Sequence, residues 1–237
     1  MIVKVCGMRD ADNIRDVAAL GIDLMGFIFW PESKRYVRMI NSGAGILPDY
    51  SQERLQRSAA TGDGTMVATA HKPKRVGVFV DDMPQNIVTR VYNYDLDYIQ
   101  LHGSESRTTI ENLRATIDPD IRPGIKFIKA IQVEKASDIQ RYREYEGAVD
   151  MLLFDTKCKT MGGSGEKFDW SVLDAYDGNT PFLLSGGIGP DDAERLKAFH
   201  HPMMAGIDLN SRFEDAPALK NVDKLRTFLN QLRSDNE

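Results

Sequence analysis

The sequence predicts an α/β fold: a single-domain (β/α)8 (TIM) barrel with a long insertion between the second and third strands. Three observations carry this. Eight short apolar, β-branched runs recur along the 237 residues. The runs are continuous rather than alternating, as strands covered on both faces must be. Segments with helical spacing lie between most of them, and alternating strand and helix means parallel pairing through right-handed crossovers. The runs begin near residues 2, 24, 75, 98, 127, 151, 182 and 205, mostly about 22–31 residues apart, which is one βα unit each. Eight units close a barrel.

The strands are expected at Ile2–Val5, Leu24–Phe29, Arg75–Val80, Tyr98–Leu101, Phe127–Ile131, Met151–Phe154, Phe182–Leu184 and Ala205–Leu209. Ile14, Val17, Ala18 and Leu20 form the first helical stripe. Ile87, Val88 and Val91 form another, opened by Pro84. Further helices are expected over Arg107–Ile117, Ser137–Tyr145, Trp170–Tyr176, Asp191–Phe199 and Val222–Leu232. An open doubly wound sheet is the alternative. It wants a dinucleotide fingerprint after the first strand, and Cys6-Gly7-Met8-Arg9-Asp10 is not one. One gap is too long for a single unit. Residues 41–74 are poor in large apolar side chains and read as an insertion, with a short helix over Gln52–Ser58 and a mobile surface loop over Ala60–Lys72. The loop is either a bland insertion or an active-site lid. Residues 1–237 otherwise read as one domain.

Composition narrows the function class. Hydrophobic residues at 42% and charged residues at 27% are ordinary for a globular chain that can bury a sizeable core. The net charge of −5, with no basic run, argues against a nucleic-acid partner. Two cysteines, Cys6 and Cys158, cannot build a disulfide scaffold and fit reduced thiols in the cytoplasm. Neither a signal peptide nor a membrane span is expected.

In parallel barrels the chemistry sits at the carboxyl ends of the strands. That rule selects Cys6-Gly7, Ser33-Lys34-Arg35-Tyr36-Val37, Gln100-Leu101-His102-Gly103, Asp155-Thr156 with Gly162-Gly163-Ser164-Gly165, Ser185-Gly186-Gly187-Ile188-Gly189 and Asp208-Leu209-Asn210-Ser211. Each has a bland reading beside the functional one. Cys6 is a small buried hydrophobe or a rim thiol. Asp155 is a carboxylate tied to backbone donors or one poised in a pocket. Arg35 is a solvated charge or an anion ligand, and His102 a structural residue or a site residue. Cys158, in a polar loop, reads as a bystander. The glycine-rich turn at Gly186 and Gly187, followed after strand eight by Asn210 and Ser211, suits phosphate, since bare backbone can approach the anion. The bland alternative is a set of tight turns. No Cys/His spacing suggests a metal.

In this order and over nearly the whole chain, the sequence resembles the phosphoribosylanthranilate isomerase family. Lys4-Val5-Cys6-Gly7-Met8, Gly26-Phe27-Ile28-Phe29, Ser33-Lys34-Arg35-Tyr36-Val37, Val76-Gly77-Val78-Phe79-Val80, Ile99-Gln100-Leu101-His102-Gly103, Phe154-Asp155-Thr156, Gly162-Gly163-Ser164-Gly165 with Phe168-Asp169-Trp170, Leu184-Ser185-Gly186-Gly187-Ile188 and Gly206-Ile207-Asp208-Leu209-Asn210-Ser211 carry the match. It departs from the family in its longer connection before the third strand, and at Arg212 and Phe213, where many members have smaller residues. The resemblance implies the Amadori rearrangement of N-(5′-phosphoribosyl)anthranilate to 1-(2-carboxyphenylamino)-1-deoxyribulose 5-phosphate in tryptophan biosynthesis, without a cofactor or metal. It implies Cys6 as general base and Asp155 as general acid. Arg35 would hold the anthranilate carboxylate, with His102 and Asp208 also on the substrate. Gly186, Gly187, Asn210 and Ser211 would hold the phosphate. A nearby cation or backbone donors are expected to lower the Cys6 pKa. The expected partner is a small phosphosugar, bound by a monomer or homodimer away from membranes. The rivals are another phosphosugar barrel isomerase of histidine-pathway type, which uses paired aspartates, a metal-dependent epimerase, and a non-catalytic barrel.

Overall fold

The computed structural model describes residues 1–38, 72–156 and 169–234. Eight parallel strands close on themselves in chain order. They are β1 (Ile2–Cys6), β2 (Leu24–Ile28), β3 (Lys74–Phe79), β4 (Tyr98–Leu101), β5 (Lys126–Val133), β6 (Met151–Thr156), β7 (Phe182–Ser185) and β8 (Met204–Leu209). Each lies within a residue or two of its expected place. The insertion expected around 41–74, including the Gln52–Ser58 helix and the Ala60–Lys72 loop, falls almost wholly outside the described residues, as do Cys158 and the glycine run 162–165.

The outer helices start where local chemistry starts them. In α1 (Ala11–Ala18) Asp10 caps the N-terminus by accepting from the Asn13 N–H. Helix α2 (Pro84–Tyr94) opens on its proline. Ser106 and Asn221 cap α3 (Arg107–Ile117) and the last helix, Val222–Arg233, in the same way. Three expected helices are different in kind. The segment predicted at Ser137–Tyr145 is one α-helical turn, α4 (Ala136–Ile139), followed by 3-10 helix over Gln140–Tyr145. Trp170–Ala175 is 3-10 throughout. Asp191–Phe199 becomes a 3-10 turn, Pro190–Asp192, leading into α5 (Ala193–Ala198). The reason is spacing. Ile139, Tyr142 and Tyr145 are buried, as are Trp170, Leu173 and Tyr176. An apolar residue every third position over so short a run fits either helix type, and burial of all three side chains on one face selects the three-residue turn. The last helix is therefore α6.

Two cores result. One lies between strands and helices. The other fills the barrel with Leu24, Val76, Tyr98, Ile128, Ala130, Met151, Leu153 and Leu183. At the seam between β1 and β8, Lys4 pairs in register with Asp208, and its Nζ stands 2.9 Å from the carboxylate. After β8 comes a small antiparallel hairpin, β9 (Glu214–Ala216) and β10 (Leu219–Lys220). Its strands are too short and polar to stand out in the sequence. Among the described residues, no helix is long and apolar enough to cross a membrane.

Candidate active site

The carboxyl ends of the strands surround a cavity of about 300 Å³. Cys6, His102, Asp155, Asp208, Gly186, Gly187, Asn210 and Ser211 all line it, so eight of the nine residues singled out above meet in one place. Ile28, Val78 and Ile188 give it apolar wall. Gln100, Thr156, Ser185 and Arg212 add polar groups. Arg35, the ninth, is not in the cavity wall. It lies beside it, stacked over Gly7.

Gly7 makes that stacking possible. Its φ is +79°, and a Cβ there would stand 2.6 Å from Arg35 Cδ and 2.9 Å from Asn210 Oδ1. Only glycine accepts both the backbone angle and the crowding. At Gly186, φ +93°, a Cβ would overlap the Thr156 carbonyl oxygen. The turn after β7 thus packs directly onto the end of β6, beside Asp155. Thr156 fastens it, its hydroxyl donating to the Ser185 carbonyl at 2.8 Å.

The acid side of the cavity is a short chain of contacts. His102 Nε2 lies 3.4 Å from Asp155 Oδ2, and His102 Nδ1 lies 3.1 Å from Gln100 Nε2. With the amide donating, Nδ1 accepts and Nε2 carries the ring hydrogen toward Asp155. Gln100 Oε1 is buried without a partner among the described residues.

The thiol side runs against expectation. Cys6 is 3% exposed. Burial pushes its pKa up, and that outweighs the two cations that favour the thiolate, Lys4 and Lys220; Asp208 adds to the rise. The cations foreseen as lowering the pKa are present, but desolvation wins. Lys4 itself is completely buried. Burial works against its charge, yet Asp208 and then Cys6 hold its pKa above the ordinary lysine value.

Sequence reasoning missed the group beside Arg35. Glu214 accepts from Arg35 Nε at 2.8 and 3.0 Å and from Nη2 at 2.6 Å. The buried Lys220 ammonium also donates to Glu214, and to Asn210 Oδ1 at 3.0 Å. The Glu214 hydrogen bond, helped by its charge, raises the Arg35 pKa. Burial alone would raise the Glu214 pKa, but the bonds from Arg35 and Lys220 together carry it below the usual carboxylate range. No sequence signal marks these two residues, since a lone Glu and Lys in a polar stretch look like solvated charges.

A buried thiol, a carboxyl group with an imidazole beside it, and a glycine turn open to an anion suit proton transfers on a small phosphorylated molecule. The known proteins agree. A family model described as N-(5′-phosphoribosyl)anthranilate (PRA) isomerase matches residues 32–231. The N-(5′-phosphoribosyl)anthranilate isomerase of Parabacteroides distasonis is 45% identical over 232 residues, 98% of this chain and 93% of that one. A crystal structure of phosphoribosylanthranilate isomerase with reduced 1-(o-carboxyphenylamino)-1-deoxyribulose 5-phosphate is 26% identical, with a TM-score of 0.68 over 98% of this chain and 99% of that one. Monomers generated from the dimeric enzyme of Thermotoga maritima are 25% identical, with a TM-score of 0.67 over the same shares. By sequence along its length and by the barrel it folds into, the chain belongs to the N-(5′-phosphoribosyl)anthranilate isomerase family of tryptophan biosynthesis.

Proposed function

We propose that this barrel carries out the family's Amadori rearrangement with Asp155 as general acid and Cys6 as general base. Asp155 delivers a proton to the ribose ring oxygen, the C1–O bond opens, and the electron pair on the anilino nitrogen forms an iminium. Cys6 then removes the proton from C2. The electrons of that C–H bond become the C1–C2 double bond of an enolamine, the iminium pair returning to nitrogen; the enolamine then takes up a proton at C1 while its C2 hydroxyl gives one up, leaving the ketone. The iminium makes the C2 proton acidic, and its positive charge helps a thiol that burial otherwise keeps neutral. His102, with its ring hydrogen toward Asp155, orients the acid. Arg35 pairs with the anthranilate carboxylate as a planar, bidentate cation. Asp208 anchors Lys4 under the thiol and faces the sugar. The phosphate sits on the backbone of Gly186 and Gly187 with Asn210 and Ser211.

One observation carries this reading: Cys6, Asp155 and the glycine turn line the same small cavity. The biosynthetic role supports a cytoplasmic location, and the dimeric Thermotoga maritima relative supports a homodimer over a monomer. The resemblance over most of the chain supports one barrel domain across 1–237, with 41–74 as an insertion. The test is to give the purified chain N-(5′-phosphoribosyl)anthranilate and follow the loss of substrate fluorescence. Asp155→Asn keeps the shape of the carboxyl group but cannot deliver the proton, so turnover should fall by more than ~100-fold. Near-wild-type turnover would remove Asp155 from the mechanism.

A further inference from the structure

We propose that Glu214 is a positioning residue: it holds one edge of the Arg35 guanidinium so that the other edge is presented to the substrate carboxylate. The proposal rests on the reading of Arg35 given above and adds what makes that arginine effective. A guanidinium has two edges that can each grip a carboxylate, one formed by Nε and Nη2, the other by Nη1 and Nη2. Glu214 takes the first, with Nε 2.8 and 3.0 Å from its two oxygens and Nη2 2.6 Å from Oε2. Among the described residues, Nη1 has no partner, so the second edge remains for a ligand.

Glu214 is itself held from the other side. Lys220 Nζ and the Ala218 N–H, the latter at 3.2 Å, both donate to Oε1. Ala218 sits at φ +67°, an unfavourable angle for alanine that aims its N–H inward from the hairpin turn. Lys220 is pinned in turn, because its N–H and C=O both bond the Asn13 side chain at 2.8 Å. The clamp therefore runs from α1 through the β9–β10 hairpin to Arg35. A long side chain already fixed loses little further freedom when its ligand arrives.

The experiment compares binding of two probes to the full chain: reduced 1-(o-carboxyphenylamino)-1-deoxyribulose 5-phosphate and the same molecule lacking the ring carboxyl. Their ratio of inhibition constants reads carboxylate recognition alone. Glu214→Gln cannot accept from Nε, Nη2 and Lys220 together, so the ratio should shrink about tenfold, on the scale of one charge-assisted hydrogen bond. KM should rise with it and kcat should stay within about threefold, while the decarboxylated probe binds as before. Glu214→Gln added to Arg35→Ala should change the ratio no further. Because Glu214→Gln leaves Lys220 buried without its carboxylate, Glu214→Gln/Lys220→Met is measured beside Lys220→Met. The double variant should lose the preference and the single one keep it. A ratio unchanged in both Glu214 variants, but lost in Arg35→Ala, overturns the positioning role and leaves the Arg35 reading standing. A ratio unchanged in Arg35→Ala overturns the reading of Arg35 itself. Equal weakening of both probes also defeats the proposal, since it would mark a general disturbance of the site.

Discussion

At Cys6 two effects oppose each other, and their balance sets a measurable pH dependence. Removal from water favours the neutral thiol, while Lys4 and Lys220 favour the thiolate; burial prevails and the pKa rises. A base works deprotonated, so its ionised fraction at pH 7 falls as the pKa climbs. In a Cys158→Ser background, iodoacetamide should therefore modify Cys6 more slowly at pH 7 than it does a free thiol. The rate should keep increasing beyond the pH where an ordinary cysteine has levelled off. Cys6→Ser should bind the reduced product but hardly turn over. The stability consequence has a definite sign. With the folded pKa above the unfolded one, the contribution of the neutral thiol is complete below the unfolded pKa and is lost as pH rises through the folded pKa. Melting of wild type and Cys6→Ser should therefore converge or cross on going from pH 7 to pH 10 in favour of serine. Fast, pH-independent alkylation at neutrality would show that the cations win instead. The thiol's position could be read from an apolar run ending in Cys6-Gly7. Its depth could not, because burial at that rim depends on Lys4, Asp208 and Lys220, which come from opposite ends of the chain.

Among the elements, the loop after β4 shows how a site residue is held by charges that take no part in the chemistry. Glu105 and Lys129, both buried, pair at 2.8 Å. Glu105 also accepts from the Asp81 N–H at 2.9 Å and the Gly103 N–H at 3.0 Å, and Lys129 donates to the Gly103 carbonyl at 2.6 Å. The ends of β3 and β4 are thereby tied to the middle of β5 beside His102. Glu105→Ala would leave a buried ammonium without its carboxylate, which costs about 3–5 kcal/mol. Chemical denaturation should show a loss of that size, and Glu105→Ala/Lys129→Met should regain part of it. A loss under about 1 kcal/mol would mean that water replaces the carboxylate. Neither residue stands out in the sequence. The strands did, because a parallel barrel covers both faces and forces continuous apolar runs such as Met151–Phe154. The 3-10 segments did not, since an apolar residue every third position over six residues fits both helix types until packing decides.

For the whole molecule, the last helix and the long connection between β2 and β3 should differ sharply in what their removal does. Helix α6 buries Leu225, Phe228 and Leu229. Phe228 meets Phe213 edge to face at 4.9 Å, just after the loop that carries Asn210 and Ser211. Arg233 donates to the carbonyls of Leu20 and Gly21 at 3.0 and 2.6 Å, closing the helix onto the turn after α1. Three large buried side chains are worth about 1.5–3 kcal/mol each, so roughly 5–9 kcal/mol together. A domain's whole stability is about 5–15 kcal/mol. Ending the chain at Asn221 should therefore abolish cooperative unfolding, rather than merely slow the enzyme. Shortening Ala60–Lys72 to a brief linker removes few large apolar side chains, and the cost of closing a loop changes only slowly with its length. That variant should keep its melting temperature within a few degrees and its kcat/KM within a few-fold. Calorimetry beside the fluorescence assay separates the outcomes. A folded, inactive loop variant would make Ala60–Lys72 an active-site lid, and a cooperatively folding chain that ends at Asn221 would mean the barrel stands without its last helix.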